Sequence, residues 1–497
     1  MLPSAADLIF IGLLGVLTLT PIAVKLLGDA GIGWHIRTGQ QILATHAIPR
    51  VDSFSSTMQG KPWFAWEWLY DLAVGELEAT LGLNGVVWVT SVVIAAVFAW
   101  MFRLLMIRGT NMLAALVLTL LAISASMIHF LARPHVVSWL LTLVYFAVLA
   151  DAERGATRSS HRRMWILPVL MLLWVNLHGG FIVGFVLLAI FWLAAVWEWW
   201  TTTDGVIEKA VQKIEAARRV RALAVAGLCS AVASLLNPYG WRLHAHIYSY
   251  LTNRFLMDHI EEFQSPNFHG VAQKCFAVLV LITLAALAMR GRKARVSGAL
   301  VILFAVYSGL YASRSIPVSS VLLVMVVGPL FRSELPGAGF FQRMAGIEMR
   351  LRWHIWPALA ALATLLIAMN GGRVGSSPIM DAHFDPQRMP VIAVNYIEQH
   401  GIHGPILSTD YWGGYLIYRL GPENLVVVDD RHDLYGEEFL KSYLKMFRVE
   451  RGWKEFLEGH EYSCVVLPRN SALANTLIAS GWREIYGDGV ASVFEKA

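Results

Sequence analysis

The chain alternates between long apolar stretches and short polar segments over most of its length. About eleven stretches approach the roughly 20 residues that an α-helix needs to cross a bilayer. The pattern predicts an all-α polytopic membrane domain over residues 1–370. The predicted spans lie near residues 7–27, 85–107, 112–131, 136–150, 164–176, 181–200, 222–236, 273–289, 298–312, 317–331 and 355–369.

The long segment 29–84, between the first two spans, predicts helices at the membrane surface. In WHIRTGQQILATHA, the apolar residues Trp34, Ile42 and Leu43 recur at helical spacing, with basic and amide side chains opposite them. The segment PWFAWEWLYDLAVGELEATLG has the aromatic content that is typical of the headgroup level. We therefore expect both helices to lie flat on the outer leaflet.

The last segment, residues 371–497, has a different pattern. The helical pattern VIAVNYIEQHG is followed by predicted strands PILST, LVVVD and CVVLP, by helices between them, and by a closing strand pair. Alternating strands and helices predict a small C-terminal α/β domain with a mostly parallel sheet.

The distribution of charge predicts the orientation in the membrane. The hydrophobic fraction is 56% and the net charge is +5. Lys and Arg are concentrated in alternate loops, and cationic loops stay cytoplasmic. The N-terminus is therefore predicted to be inside and the α/β domain outside. We expect a bacterial inner membrane, for which the outside is the periplasm. The basic charge then indicates topology and contact with anionic membrane lipids, not nucleic acid. The cationic loops contain Arg103 and Arg108; Arg154, Arg158, Arg162 and Arg163; Lys209, Lys213, Arg218, Arg219 and Arg221; Arg290, Arg292, Lys293 and Arg295; and Arg332, Arg343, Arg350 and Arg352.

Polar and ionisable residues lie at the helix ends that are predicted to face outside. Ionisable groups at the edge of the hydrocarbon are costly, so function is their default explanation. The set combines carboxylates, which can take a proton, with arginines, whose planar fork binds phosphate. Its members are Asp29, His35, Glu67, Arg133, His135, Asn176, His178, Asn237, Glu261, Glu262, His269 and Arg314.

Two motifs in the C-terminal segment are further candidates. Asp429, Asp430 and Arg431 follow a predicted strand, where α/β sheets bind ligands. A surface loop of self-paired charges would have the same sequence. Trp412 precedes two glycines, which fits either an aromatic platform with close backbone access or a tight turn.

Two of these regions resemble a known family. GDAGIGWHIRTG and HAIPRVDSFSSTMQGKPWFAWEWL resemble the opening of GT-C membrane glycosyltransferases, in the manner of protein O-mannosyltransferases and lipid A aminoarabinose transferases. TDYWGGYLIYRL, followed by VVVDDRHDLYG, is similar in layout to the outer domain of oligosaccharyltransferase catalytic subunits. The resemblance implies a lipid-phosphate sugar donor, an acceptor reached from the outer face and a first-loop carboxylate at the reaction centre.

The chain also departs from that family in two places. It has a lone Asp29 where several members carry two acids, and TDYWGG where W-W-D-Y-G would be expected. The use of a metal therefore stays open. The acceptor stays open between a glycan, a lipid and a protein.

The residue types predict roles in sugar transfer from a polyprenyl phosphate. Asp29 or Glu67 would take the proton of the acceptor hydroxyl. Arg133 and Arg314, together with His178, would hold the departing phosphate. The residues expected to bind the acceptor or another part of the substrate are His35, Asn176, Trp412, Asp429, Asp430 and Arg431.

Each role has a structural alternative. Glu67 lies between two tryptophans and could extend to water, and the arginines could anchor the protein to lipid headgroups. Asn176 and His178 could satisfy backbone groups that a helix break leaves free. His35, His178 and His269 show no metal-ligand spacing, so no metal ligands are predicted, although a divalent cation remains a candidate cofactor.

Two other classes of protein would also be polytopic. A lipid or glycan transporter or flippase would carry paired repeats and ionisable groups near the bilayer midplane, whereas here these groups lie on one side. A non-catalytic envelope assembly protein would have no reason to bring them together. A cluster that contains Asp29, Arg133 and Arg314 would therefore favour an enzyme over an assembly protein.

Overall fold

The computed structural model describes residues 2–155, 163–202, 207–290, 295–331, 338–351 and 354–496. Several residues of the predicted cytoplasmic loops lie outside these ranges, namely Arg158, Arg162, Arg292, Lys293, Arg332 and Arg352.

The first part of the chain is helical, as its apolar runs predict. Its helices are α1 (Ala5–Leu19), α2 (Ile22–Leu26), α3 (Ile32–Thr45), α4 (Trp68–Ile107), α5 (Met112–Ser126), α6 (His135–Arg154), α7 (Ile166–Leu177), α8 (Ile182–Thr201), α9 (Ile207–Ser234), α10 (Trp241–Thr252), α11 (Arg254–His259), α12 (Val271–Arg290), α13 (Val296–Tyr311), α14 (Ile316–Val327), α15 (Ala338–Arg350) and α16 (Ile355–Met369).

Each predicted span coincides with a helix, but the number of spans is not confirmed. Within the described ranges, six helices are long and apolar enough to cross a membrane, or seven if one bent pair near the end of the domain forms a single span. The apolar helices α1, α7 and α13 are shorter than such a span. The predicted total of about eleven spans therefore includes helices that length and composition alone do not identify as membrane-spanning.

Helix α3 of segment 29–84, which is predicted to lie flat on the membrane surface, packs against protein on two sides. Helix α3 is covered by protein: His35 is 1% exposed and Ile36 is fully buried. On one side of α3, Gly39 meets Gly75 of α4, so closely that a Cβ on Gly39 would lie 1.9 Å from the Asp71 carbonyl oxygen. On the other side it contacts the C-terminal domain. The polar face of α3, which the sequence predicted to contact lipid headgroups, contacts protein instead.

Helix α4 combines the second predicted surface segment with the second predicted span. Gly82 separates the two parts, with φ +62°, a left-handed conformation that glycine adopts readily. The part before Gly82 packs on α3 and begins beside Glu67, whereas the helix ends at Ile107, at the opposite end of the membrane domain. We call the side that carries Glu67 and the C-terminal domain the domain face.

The C-terminal domain follows α16. Its helices are α17 (Val391–Gln399), α18 (Asp410–Leu420), α19 (His432–Tyr435), α20 (Glu437–Phe447), α21 (Trp453–Glu458) and α22 (Ala472–Ala479). A small pair of strands, β1 (Arg373–Val374) and β2 (Ser377–Pro378), precedes them. The main sheet contains β3 (Ile406–Ser408), β4 (Cys464–Pro468), β5 (Arg483–Gly487) and β6 (Ala491–Glu495), in the order β3-β4-β6-β5.

The prediction of a mostly parallel sheet is wrong. Only β3 and β4 pair in parallel, whereas β6 is antiparallel to both β4 and β5. The turn between β5 and β6 is too short for a parallel crossover, so these two strands form a hairpin. The predicted strand LVVVD is present only as isolated bridges of Val426 to Ile406 and to Ser55.

Candidate functional site

A buried carboxyl group, that of Glu67, lies between two imidazoles on the domain face. Glu67 immediately precedes α4, and its side chain is 11% exposed. Its Oε2 is 3.8 Å from Nε2 of His35, and its Oε1 is 3.6 Å from Nε2 of His178. Both distances exceed a hydrogen bond, and no described residue donates one to this carboxyl group. We call Glu67, His35, His178, Tyr70 and Asp71 the Glu67 centre.

Burial raises the pKa of Glu67 to about 8, against the opposing positive charges of Arg133 and Arg314. A carboxyl group with such a pKa exchanges a proton near neutral pH, which is the property that a general acid or base needs. Burial, with the charge of Arg133, lowers the pKa of His35, so this imidazole is neutral at rest.

The His35 side of the centre contains two further buried polar groups. Asp71 Oδ1 is 2.5 Å from Nδ1 of His35, and the Tyr70 ring meets the imidazole edge to face. The Tyr70 hydroxyl and Asp71 Oδ2 have no hydrogen-bond partner among the described residues. Buried polar atoms usually have a partner, so the centre has unused capacity to bind a polar ligand.

The His178 side is fixed by hydrogen bonds. Its Nδ1 accepts from the Gly180 backbone N–H at 3.0 Å and lies 2.6 Å from the Ser138 hydroxyl, which accepts from the Trp174 indole N–H. Because Nδ1 is an acceptor, the proton of the neutral ring lies on Nε2, which points at Glu67. Among the described residues, no group of three or more His, Cys, Asp or Glu side chains is arranged as metal ligands, so we derive no step through a metal.

Asn176 is predicted to bind substrate, but both polar atoms of its side-chain amide form hydrogen bonds with other parts of the protein. Its Oδ1 accepts from the Trp68 indole N–H at 2.8 Å, and its Nδ2 donates to the carbonyls of Leu172 and Leu236. The amide therefore holds α4, α7 and the end of α9 together. This geometry corresponds to the structural alternative, in which the residue satisfies backbone groups at a helix end.

A second cluster, the Arg133 bridge, connects the two domains. Arg133 Nη1 lies 3.2 Å from Asp29 and 3.0 Å from Asp430 of the C-terminal domain, and Asp430 accepts from the Trp34 indole N–H. Burial raises the pKa of Asp430 to about 6, against the opposing charge of Arg133. Two of the predicted site residues, Asp29 and Arg133, therefore neutralise each other in this structure.

Arg314 lies on another side of the same region. It pairs with Glu262 at 3.1 Å and stacks over Phe263. Although burial raises the pKa of Glu262, Arg314 and Arg133 together lower it to about 2. Both arginines also act on the pKa of Glu67. The structure thus brings Arg133 and Arg314 around one polar region, and each already has a carboxylate partner.

Three of the predicted substrate-binding residues lie in the protein interior. Arg431 is 2.7 Å from Asp52 and 2.6 Å from Asp429, its guanidinium stacks over Trp63, and Tyr435 donates to Asp429. We call these charged residues and Tyr435 the Arg431 clamp. It is almost completely buried and joins segment 29–84 to the C-terminal domain.

The structure favours the alternative of self-paired charges over substrate binding for Asp429 and Arg431, because every polar atom of this ion pair faces protein. Trp412 is likewise 1% exposed and donates to the Arg388 carbonyl. It is a core residue of α18, not an aromatic platform. Asp430, the third residue of the predicted motif, alone faces the membrane domain.

Three residues in or beside the centre, Tyr70, Asp71 and Ser138, were not predicted from the sequence. Asp71 follows Glu67 by four residues, a spacing that puts two side chains on one side of a helix, and this could have been noticed. Ser138 belongs to an apolar helix and gives no sequence signal. His269, a weak metal candidate, is an exposed loop residue.

Comparison with known proteins supports the architecture. No family model and no curated protein matches the chain. Solved structures do match it. The apo oligosaccharyltransferase of Archaeoglobus fulgidus has a TM-score of 0.55 at 10% identity over 93% of this chain and 69% of its own.

Two further structures of that archaeal enzyme give similar values. The oligosaccharyltransferase AglB in complex with an inhibitory peptide and a dolichol-phosphate has a TM-score of 0.56 at 10% identity, covering 99% of this chain and 74% of its own. The complex with Zn and sulfate has a TM-score of 0.52 at 10% identity, covering 99% and 73%. The chain therefore shares the fold of these structures, a mostly helical domain with helices long enough to cross a membrane and a small C-terminal sheet domain.

Proposed function

We propose that this protein is an integral membrane glycosyltransferase that moves a sugar from a polyprenyl-phosphate-type lipid donor to an acceptor on the domain face. The fold is shared with an oligosaccharyltransferase that binds a dolichol-phosphate. The acceptor is a glycan, a lipid or a protein with a free hydroxyl group.

The observation that carries this proposal is the Glu67 centre. A buried carboxyl group whose pKa is raised to about 8 faces two imidazoles at distances that leave both its oxygens available. Sugar transfer requires a base for the proton of the attacking hydroxyl, and Glu67 meets this requirement. Asp29 is a weaker candidate for the base, because its carboxylate is paired with Arg133.

The donor phosphate is proposed to bind between Arg133 and Arg314. Each arginine has a carboxylate partner on the domain face, Asp29 and Asp430 for one and Glu262 for the other. A phosphate would take over part of these ion pairs, and its bidentate contact with a guanidinium is geometrically favourable. The departing phosphate would then be stabilised where its charge develops.

The domain face is proposed to be extracytoplasmic in a bacterial inner membrane. Arg103, Arg219 and Arg295 pair with Glu348, Glu198 and Glu153, near the helix ends opposite the domain face. Basic residues at that side follow the rule that cationic loops remain in the cytoplasm.

The test is transfer from a short-chain polyprenyl-phosphate sugar in detergent or proteoliposomes, with mass-spectrometric detection of the product. We expect Glu67→Gln to lower kcat by ~10²- to 10⁴-fold, the range that general base catalysis contributes. Glu76→Gln, an exposed carboxylate on the same helix, is the matched control and should behave as wild type. Equal rates for Glu67→Gln and wild type would remove Glu67 from the reaction.

A further inference from the structure

We propose that Asp71 is a positioning residue for the proposed transfer reaction and that it orients His35 to receive the proton that Glu67 takes from the acceptor. This inference rests on the proposed function. It assigns a role to a residue whose sequence context, an aromatic helix start, points to no chemistry of its own.

The packing of α3 on α4 brings His35 and Asp71 together. Asp71 lies one turn after Glu67 on α4, and its backbone N–H donates to the Glu67 carbonyl at 3.0 Å. The close approach of Gly39 and Gly75, each one turn beyond His35 and Asp71, holds α3 against α4 at this level. The side chains of His35 and Asp71 are each 1% exposed, so their 2.5 Å contact is isolated from water.

The hydrogen bonds of the two histidines determine which imidazole can accept a proton from Glu67 and which can donate one. With Nδ1–H of His35 donating to Asp71, the lone pair of Nε2 faces Glu67 Oε2. On the other side, Nε2 of His178 carries its proton and faces Glu67 Oε1. Glu67 therefore has a proton acceptor on one side and a proton donor on the other. Of the two imidazoles, only His35 presents a lone pair that can accept a proton from Glu67.

The transfer step then balances. The acceptor oxygen forms a bond to the anomeric carbon, and the bond from that carbon to the phosphate oxygen breaks with its electron pair. The hydroxyl proton moves to Glu67 and from there to Nε2 of His35. Before the next turnover it returns through Glu67, whose side chain is 11% exposed, to solvent. The imidazolium, 2.5 Å away, favours the ionised form of Asp71, and the two buried charges stabilise each other while the imidazolium exists.

The charged and titratable groups around the pair come from several elements. Those acting on His35 are Arg133, His135, His178 and Arg431, and those acting on Glu67 are Arg133, Arg314, Glu262 and Asp433. None of them occupies the contact between His35 and Asp71, so a substitution of Asp71 tests that contact directly.

The experiment compares Asp71→Asn with Glu78→Gln in the transfer assay, over a range of pH. Glu78 is a matched control, because it also lies on α4 and also accepts a hydrogen bond from α3, through Gln40, but outside the Glu67 centre. We expect Asp71→Asn to lower kcat by about 100-fold with an unchanged KM for the donor. Loss of the negative charge should also move the rising limb of the pH profile to lower pH, and Asp71→Glu should recover part of the rate.

A purely structural role would change the yield and melting temperature of Asp71→Asn but not kcat or the pH limb, and that result would overturn the inference. Absence of any donor turnover by wild type would instead contradict the proposed function. A second measurement does not need activity or the variant to fold: ¹⁵N spectra of histidine-labelled wild type should show His35 with its proton on Nδ1. A His35 ring protonated on Nε2, beside a protonated Asp71, would also overturn the inference.

Discussion

Two clusters of buried charge on the domain face, the Arg431 clamp and the Glu67 centre, have similar residue types but opposite hydrogen bonding. In the clamp, Arg431 is held by Asp52 and Asp429, with every strong donor directed at an acceptor. In the centre, the Glu67 carboxyl accepts nothing from the described residues. Burial of charge therefore does not distinguish the proposed reaction site from the clamp. What distinguishes it is a buried carboxyl group that accepts no hydrogen bond from the described residues.

The Arg133 bridge is intermediate between the two. Its arginine has two carboxylate partners, as in the clamp, but its side chain is 21% exposed and Asp29 is 33% exposed. These ion pairs can exchange with a ligand, whereas those of the clamp are sealed. Arg133 is therefore the better candidate for binding the donor phosphate, whereas Arg431 has a structural role.

The largest expected effect contrasts the clamp with the centre in stability. Arg431→Ala leaves two buried carboxylates without a positively charged partner and should lower the free energy of unfolding by ~3 to 5 kcal/mol. Glu67→Gln removes a carboxyl group that no hydrogen bond holds and whose burial disfavours the charged form, so it should lower the free energy of unfolding by less than ~1 kcal/mol, if at all. Denaturant or thermal unfolding in detergent measures both. An equal loss in the two variants would mean that Glu67 is a structural residue.

The next effect concerns donor binding. Titration of a polyprenyl-phosphate analogue should give a loss of ~1.5 to 3 kcal/mol for Arg133→Ala and for Arg314→Ala, the cost of removing a charged hydrogen-bond partner. Arg254→Ala, an exposed arginine on α11, is the control and should bind as wild type. Lys at either position should recover the affinity only in part, because the charge is kept but the fork is lost. Equal affinity of all three alanine variants would favour a role as anchors for lipid headgroups.

The smallest effect is the dependence on pH. The pKa of Glu67 is raised to about 8 in the folded protein. The proton bound to Glu67 therefore stabilises the folded state, and this contribution is complete at pH values below the ordinary pKa of a carboxyl group. It is lost as the pH rises through about 8. The basic form appears in the same window, so kcat should rise by about tenfold per pH unit up to that value while the melting temperature falls. Glu67→Gln should lack both trends. A rate that is flat between pH 6 and 8 in wild type would contradict the assignment.

Some features of this protein follow from the sequence alone, because they depend on local pattern. Helical periodicity and apolar length located the apolar helices but did not establish how many of them span the membrane. The change of pattern near residue 370 marked the C-terminal domain, and the cost of charge near hydrocarbon singled out Glu67, His35, His178 and the two arginines as candidates. The resemblance to GT-C enzymes agreed with the observed fold.

Other features were decided only by tertiary contacts. The amphipathic pattern of α3 is compatible with a lipid surface, but Gly33 and Gly39 allow protein to cover both of its sides. The motif around Arg431 looks like a ligand site until Asp52, distant in sequence, completes its ion pairs. The Glu67 centre itself joins residues from α3, α4 and the end of α7. Its chemistry depends on proton positions that hydrogen bonds to Asp71 and Gly180 set, and such long-range partners leave no periodic trace in the sequence.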